Sequence, residues 1–306
     1  MSVSESEQAS IESACKLLCP SWPTAEVEVE QYLAGGYRNR NYRLRYNGDR
    51  YVLRIASGGN ETDFNREQEL LSALSVVFPK TSAGLTLDVA PVIATGVSEG
   101  LLLSRWISAP LLATSPGVAA ETLGAYLARL HSALAQLARD NVSKGDLRSH
   151  IGSDLALASG SEESAERWVA ELPDPKHSPV MCHLDLNPWN LLVTDRHWVT
   201  LDWETVAVAD PLFDLVTLCD GYLREHNLQA DRAAFSCAAL AAYNLCHDNA
   251  HPDYTSDGLD DARIWYQWRE YAWACAQLAT GNNRDEIVLQ RDFFGAELVQ
   301  RGFDII

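Results

Sequence analysis

Four residues in this chain of 306 have the types and spacing to do chemistry: His183, Asp185, Asn190 and Asp202. The first three lie in Cys182-His183-Leu184-Asp185-Leu186-Asn187-Pro188-Trp189-Asn190, which runs into the apolar segment Leu191-Leu192-Val193. Asp202 follows in Val199-Thr200-Leu201-Asp202-Trp203-Glu204. A carboxylate, a carboxamide a short loop later and a second carboxylate on the next strand are the polar parts of a phosphoryl-transfer centre. Asp185 would accept the proton of an attacking hydroxyl. Asn190 and Asp202 would hold magnesium against nucleotide phosphates. A hard cation needs oxygen ligands from two directions, and the base must stand beside them. His183 is expected to hold the loop through hydrogen bonds.

These residues need a frame, and the sequence pattern supplies one. Val27 to Leu33, Asn41 to Tyr46, Tyr51 to Ile55, Val89 to Thr95 and Leu101 to Trp106 read as strands. Asn47-Gly48-Asp49 reads as a hairpin turn, because Asn and Gly tolerate positive φ. Asp63 to Val76 fits a helix with Leu70, Leu71 and Leu74 on one side. The expected N-terminal frame is therefore a five-stranded antiparallel sheet with one helix inserted. Past Pro110 the pattern turns helical. Leu123, Leu127, Leu130 and Leu134 recur at spacings of three and four within 118–138. Residues 140–160 read as loop, 162–172 as a short helix and 180–201 as extended. Further helices are expected near 212–225, 229–247, 260–279 and 284–301. The fold class is α+β in two lobes: 1–107 for nucleotide binding, and a mainly helical 108–306 with the catalytic loop and substrate site.

Other residues could serve the same centre. Gly35-Gly36 sits between two strands, where backbone N–H groups can approach phosphates. Arg54 lies in the apolar strand Tyr51-Val52-Leu53-Arg54-Ile55, where a cation would face nucleotide phosphates. The chain's four lysines, Lys16, Lys80, Lys144 and Lys176, fall in no matching strand. Such a cation needs an acidic partner on the following helix. Glu67 is favoured over Glu69, being four residues before apolar Leu71. Asp210 stands where a helix N-cap would, and Asp214 could brace the catalytic loop. Trp265, Trp268 and Trp273 crowd one predicted helix, and aromatic faces bind organic cations.

The net charge is −18. Such a surface disfavours nucleic acid and anionic membranes as partners and favours a cationic small molecule. Seven scattered cysteines without a Cys-x-x-Cys pair disfavour a zinc site. They read as buried thiols in a reducing compartment. No apolar run approaches a membrane span, and the polar, acidic N-terminus does not read as a secretory signal. The expected location is the cytoplasm.

The motifs His183-Leu184-Asp185-Leu186-Asn187-Pro188-Trp189-Asn190 and Leu201-Asp202-Trp203-Glu204 resemble the aminoglycoside phosphotransferase and choline kinase superfamily. Asp-Trp-Glu in place of the protein-kinase Asp-Phe-Gly points to the small-molecule branch. Gly35-Gly36-Tyr37-Arg38-Asn39-Arg40-Asn41-Tyr42 and the Arg54 strand are similar to choline, ethanolamine and bacterial thiamine kinases. The resemblance covers about residues 30–280 and implies a protein-kinase-like fold using ATP and Mg2+. It implies Asp185 as base, Asn190 and Asp202 as metal ligands, and Arg54 with Glu67 as the nucleotide-side ion pair. Gly35, Gly36 and Asn39 would meet the phosphates. Ser104 to Ile107, including Arg105 and Trp106, would form the adenine hinge. Glu204, Trp265, Trp268 and Trp273 are the positions that could hold the acceptor. Choline, ethanolamine or thiamine leads as acceptor. An antibiotic phosphotransferase and a nucleotide-binding pseudokinase are the alternatives.

Overall fold

The computed structural model describes residues 4–33, 39–56, 61–78, 86–96, 98–137, 146–195, 197–228, 231–246 and 254–305. In chain order the first elements are α1 (Glu5–Leu18), β1 (Glu28–Leu33), β2 (Asn39–Tyr46), β3 (Asp49–Ala56) and α2 (Glu61–Val77). Next come β4 (Thr86–Val89), β5 (Val92–Gly96), β6 (Leu101–Arg105), α3 (Ala120–Leu134), α4 (Leu147–Ser159) and α5 (Glu162–Ala170). The motif region supplies β7 (Val180–Cys182), a 3-10 turn (Pro188–Asn190), β8 (Leu191–Val193), β9 (His197–Thr200) and β10 (Ala207–Ala209). Four helices close the chain: α6 (Pro211–Glu225), α7 (Arg232–Cys246), α8 (Asp257–Ala279) and α9 (Asp285–Gln300). Among the described residues, no helix is long and apolar enough to cross a membrane.

The chain divides into two compact units, Met1–Leu111 with Leu191–Glu204, and Leu112–Asn190 with Thr205–Ile306. In the first, β1-β2-β3-β6-β5 form the expected five-stranded antiparallel sheet. Asn47 and Gly48 turn the β2–β3 hairpin with φ of 53° and 82°, as a primed turn requires. Strand alternation sorts the side chains of β3. Tyr51, Leu53 and Ile55 are buried in a core that includes Ile11, Ala14 and Cys15 of α1. Arg54, out of phase with them, points to the opposite face.

The sequence pattern misjudged three elements here. Helix α1 was not expected. It starts with a capping box, in which Ser4 and Glu7 satisfy each other's backbone N–H, but its buried face is only Ile11, Ala14 and Cys15, a faint periodic signal. The single strand expected over 89–95 is two. Pro91, lacking an N–H, interrupts the ladder; β4 leaves to pair with β9, and β5 joins the large sheet. Residues 191–204, expected in the helical lobe, belong to the first compact unit. There β8 pairs with β9, and β9 runs parallel to β4.

The second unit is helical around the short β7–β10 ribbon, in which Cys182 pairs with Ala207. Helix α6 is its axis, buried from Pro211 through Leu223. Helices α3 and α7 cross closely at Gly124, where an added Cβ would lie 1.9 Å from the carbonyl oxygen of Ala239. Helix α4 occupies a stretch expected to be loop. Its buried Leu147, Ile151 and Leu155 recur every fourth residue, but Ser149, Gly152 and Ser153 between them mimic turn chemistry.

Candidate active site

The residues expected to form the catalytic loop, His183 to Asn190, sit in the second unit, after β7. Asp185 is partly buried and held from several sides. Oδ1 accepts the Asn187 amide at 3.2 Å, and Oδ2 accepts the Asn190 amide at 2.9 Å. Asn190 Nδ2 also donates to the Asp185 carbonyl at 2.9 Å. With its nitrogen turned to Asp185, Asn190 has its amide oxygen as the group to offer a cation. Nη2 of Arg269, on α8, lies 3.1 Å from Asp185 Oδ1.

Beneath the loop is a buried brace. Asp214, fully buried on α6, accepts the backbone N–H of His183 at 2.7 Å and of Leu184 at 3.0 Å. His131 of α3 approaches Asp214 Oδ2 at 3.1 Å through Nε2, and its Nδ1 meets the Tyr243 hydroxyl at 2.9 Å. The bracing role expected of Asp214 matches these bonds. His183 is buried, and its Nδ1 accepts the Asp185 N–H at 3.3 Å. Thr205 Oγ1 donates to the His183 carbonyl at 2.8 Å. His131, Cys182 and Asp214 lie close enough to suggest a metal cluster. Asp214, however, already spends both oxygens on the loop. Burial pushes the Cys182 thiol well above its ordinary pKa, which suits packing and not nucleophilic attack. Asp210 caps α6, accepting the Leu212 N–H at 3.0 Å, and also meets His177.

The residues expected on the nucleotide side sit in the first unit. Arg54 Nη1 donates to Glu67 Oε1 at 2.6 Å, and both side chains are largely buried. Glu69 is exposed, so the structure selects Glu67. Arg54 Nη2 also lies 3.5 Å from Asp202 Oδ1. Burial alone would lower the Arg54 pKa, but Glu67, Asp202 and Glu204 raise it, so the guanidinium stays charged. Asp202 adopts a left-handed φ of 58°, uncommon for a residue with a side chain. Its Oδ1, the atom that faces Arg54, is buried and accepts no hydrogen bond among the described residues. A buried carboxylate oxygen without a hydrogen bond is what a hard cation would satisfy, so the chemistry of Asp202 fits a magnesium ligand.

Other expected residues fall differently. Gly35 and Gly36 lie outside the described residues. Asn39 is buried at the start of β2, opposite Ala56. Arg105 is exposed and faces Asp49 of the β2–β3 hairpin at 3.8 Å. Trp106 lies under the Arg43 guanidinium, 5.0 Å from its ring centroid. Trp268 has no exposure and packs against Tyr271 and Phe303. Trp265 is buried, donates to the Pro173 carbonyl at 3.0 Å and carries Arg148 on its ring. Trp268 is a core residue where acceptor contact was expected, whereas Trp265 lines a cavity with Arg148, Asp210 and Asp261. Trp273 is half-buried. Arg269 went unnoticed in the sequence, because only the fold brings α8 to the catalytic loop.

An antiparallel sheet with its helix-borne ion pair, and a helical unit carrying His-x-Asp-x-x-x-x-Asn, define a kinase-like phosphotransferase. Residues 30–246, more than half the chain, match the phosphotransferase enzyme family, and the chain belongs to that family. Protein LicA of Haemophilus influenzae is 27% identical over 214 residues, which are 66% of this chain and 59% of that protein. The chain thus spans less than two thirds of that relative's length. A choline/ethanolamine kinase family protein from Mesorhizobium loti is similar with a TM-score of 0.61 and 21% identity, over 94% of this chain and 92% of that one. An aminoglycoside-3'-phosphotransferase of type VIII is similar with a TM-score of 0.58 and 22% identity, over 84% and 98%. Both arms of the resemblance therefore share this fold.

Proposed function

We propose that the protein is an ATP-dependent kinase that phosphorylates a hydroxyl of a small cationic metabolite in the cytoplasm, with choline, ethanolamine and thiamine as leading acceptors. The observation that carries the reading is the Asp185 carboxylate, held at both oxygens by Asn187 and Asn190 and anchored through a braced loop. Asp185 takes the proton of the acceptor hydroxyl. The hydroxyl oxygen forms a bond to the γ-phosphorus as the bond to the ADP oxygen breaks. Arg54, kept charged by Glu67, supplies a fixed cation for the phosphates. Asn190 and Asp202 would hold magnesium, which when bound neutralises phosphate charge in the transition state. The net charge of −18 favours a cationic acceptor. Seven free thiols suit a reducing cytoplasm.

A second reading, transfer to an antibiotic hydroxyl, draws on the similarity to the aminoglycoside-3'-phosphotransferase. One assay decides between them. ADP release is measured with ATP, magnesium and choline, ethanolamine, thiamine, methylthioribose, homoserine or kanamycin. Turnover is expected with one of the small cations, and Asp185→Ala should lower it by about 10²–10⁴-fold. Kanamycin alone turning over would favour the second reading. ATP binding without any turnover would leave a pseudokinase. Turnover that survives Asp185→Ala would sink the mechanism.

A further inference from the structure

Asn187 and Asn190 hold Asp185 from within its own loop, so they move with it. Arg269 ties the carboxylate to the helical frame. Its side chain is only 16% exposed, and its Nη2 stands 3.1 Å from Asp185 Oδ1. Its Nη1 donates to Glu270 Oε1 at 2.6 Å. Glu270 is itself buried and takes the Gln290 amide on its other oxygen at 2.8 Å. A chain of polar contacts thus runs from α9 through α8 to the catalytic loop, and α8 packs on α4, α6 and α9. Burial alone would lower the Arg269 pKa, but Asp185, Glu270 and Asp154 raise it, so the contact is a charged one. A guanidinium fixed by a second carboxylate loses little freedom when it grips the first.

We propose that Arg269, fixed by Glu270 and Gln290, is a positioning residue that aims the Asp185 carboxylate at the acceptor hydroxyl. The inference rests on Asp185 being the base. A base that swings off its line still leaves ATP bound, but it no longer favours the acceptor hydroxyl over water. Misalignment therefore lowers transfer and releases ADP without phosphorylated acceptor, because water oxygen then bonds to the γ-phosphorus.

The test compares wild type, Arg269→Ala, Arg269→Lys and Gln290→Leu with the panel member that wild type turns over. Phosphorylated acceptor and ADP are counted separately. Arg269→Ala should lower kcat for transfer by about 10²-fold, with the KM for ATP changed by less than about twofold. Its ratio of ADP to phosphorylated acceptor should rise above that of wild type. Arg269→Lys should recover part of the loss, as should guanidinium ion added to Arg269→Ala. Gln290→Leu, which keeps the charge, should shift both readouts the same way but less. If Arg269→Ala does not fold, Arg269→Lys and Gln290→Leu carry the comparison. Wild-type kcat and coupling in these variants would overturn the inference. So would a parallel loss of kcat and ATP affinity that guanidinium does not rescue. A wild type that turns over no acceptor would instead overturn the kinase reading, and the inference with it.

Discussion

Arg54→Met removes one half of a buried ion pair and strands the other. Glu67 has a 3% exposed side chain, and Arg54 Nη1 at 2.6 Å is its close cation. Without it the carboxylate must stay charged in a dry site or take up a proton. Truncating one partner of such a pair costs about 3–5 kcal/mol. Glu67→Leu should cost less, about 1–3 kcal/mol, because Asp202 at 3.5 Å still faces the guanidinium. The double variant leaves apolar groups of similar volume at 54 and 67, and the carboxylate that loses its cation, Asp202, is partly exposed to solvent. That variant should return to within about 1 kcal/mol of wild type. Urea unfolding followed by tryptophan fluorescence gives all four stabilities. The pH dependence adds a signed check. Burial raises the Glu67 pKa, and Arg54 partly offsets that rise; without Arg54 it rises further. A carboxyl whose folded pKa lies above its unfolded value near 4.3 stabilises most below that value. That stability is lost as pH climbs through the raised pKa. The Arg54→Met deficit should therefore be smallest in acid and grow toward neutrality. A deficit under about 1 kcal/mol, one flat in pH, or a double variant no better than Arg54→Met would refute the reasoning.

Two further variants probe the metal site and the frame. Asp202→Asn keeps the volume but removes the charge on the orphaned oxygen, so the magnesium needed for half-maximal turnover should rise by about tenfold or more; an unchanged magnesium titration would remove Asp202 from the site. Gly124→Ala places a Cβ 1.9 Å from the Ala239 carbonyl oxygen, so α3 and α7 must separate, and calorimetry should register a loss of about 1–3 kcal/mol.

What the sequence made legible followed from how local each constraint is. Asp185, Asn190 and Asp202 stand out because chemistry fixes their types and close spacing. Arg54 stands out because a lone cation in an apolar strand violates the strand's pattern, and the same alternation placed it on the face where Glu67 lies. Asn47-Gly48 was legible because its turn needs positive φ at both positions. Trp268 misled because an aromatic stripe that binds cations and one that fills a core have the same helical spacing. Only its complete burial against Tyr271 and Phe303 separates the two. Arg269 and His131 were invisible because their partners, Asp185 and Asp214, come from distant elements. Neither residue breaks a local pattern where it stands.

The backbone at the two motifs carries information no residue type discloses. Leu184 and Asp202 both have left-handed φ, 64° and 58°, although neither is glycine. Such a conformation costs on the order of 1–3 kcal/mol and persists only where the surroundings over-determine it. Each is over-determined. The N–H groups of His183 and Leu184 are both pinned by the two oxygens of Asp214, itself fixed by His131. Asp202 is bracketed by Trp203, whose indole Nε1 donates back to the Thr200 carbonyl at 3.0 Å and whose buried ring lies against Phe78. A glycine at either position would relieve the strain but would remove a buried leucine in one case and the orphaned carboxylate in the other. The motif's spacing thus nominates the groups that the proposed reaction would use. The rigid buried anchors beside each group, Asp214 and Trp203, explain how ordinary residues hold a conformation that glycine would adopt freely.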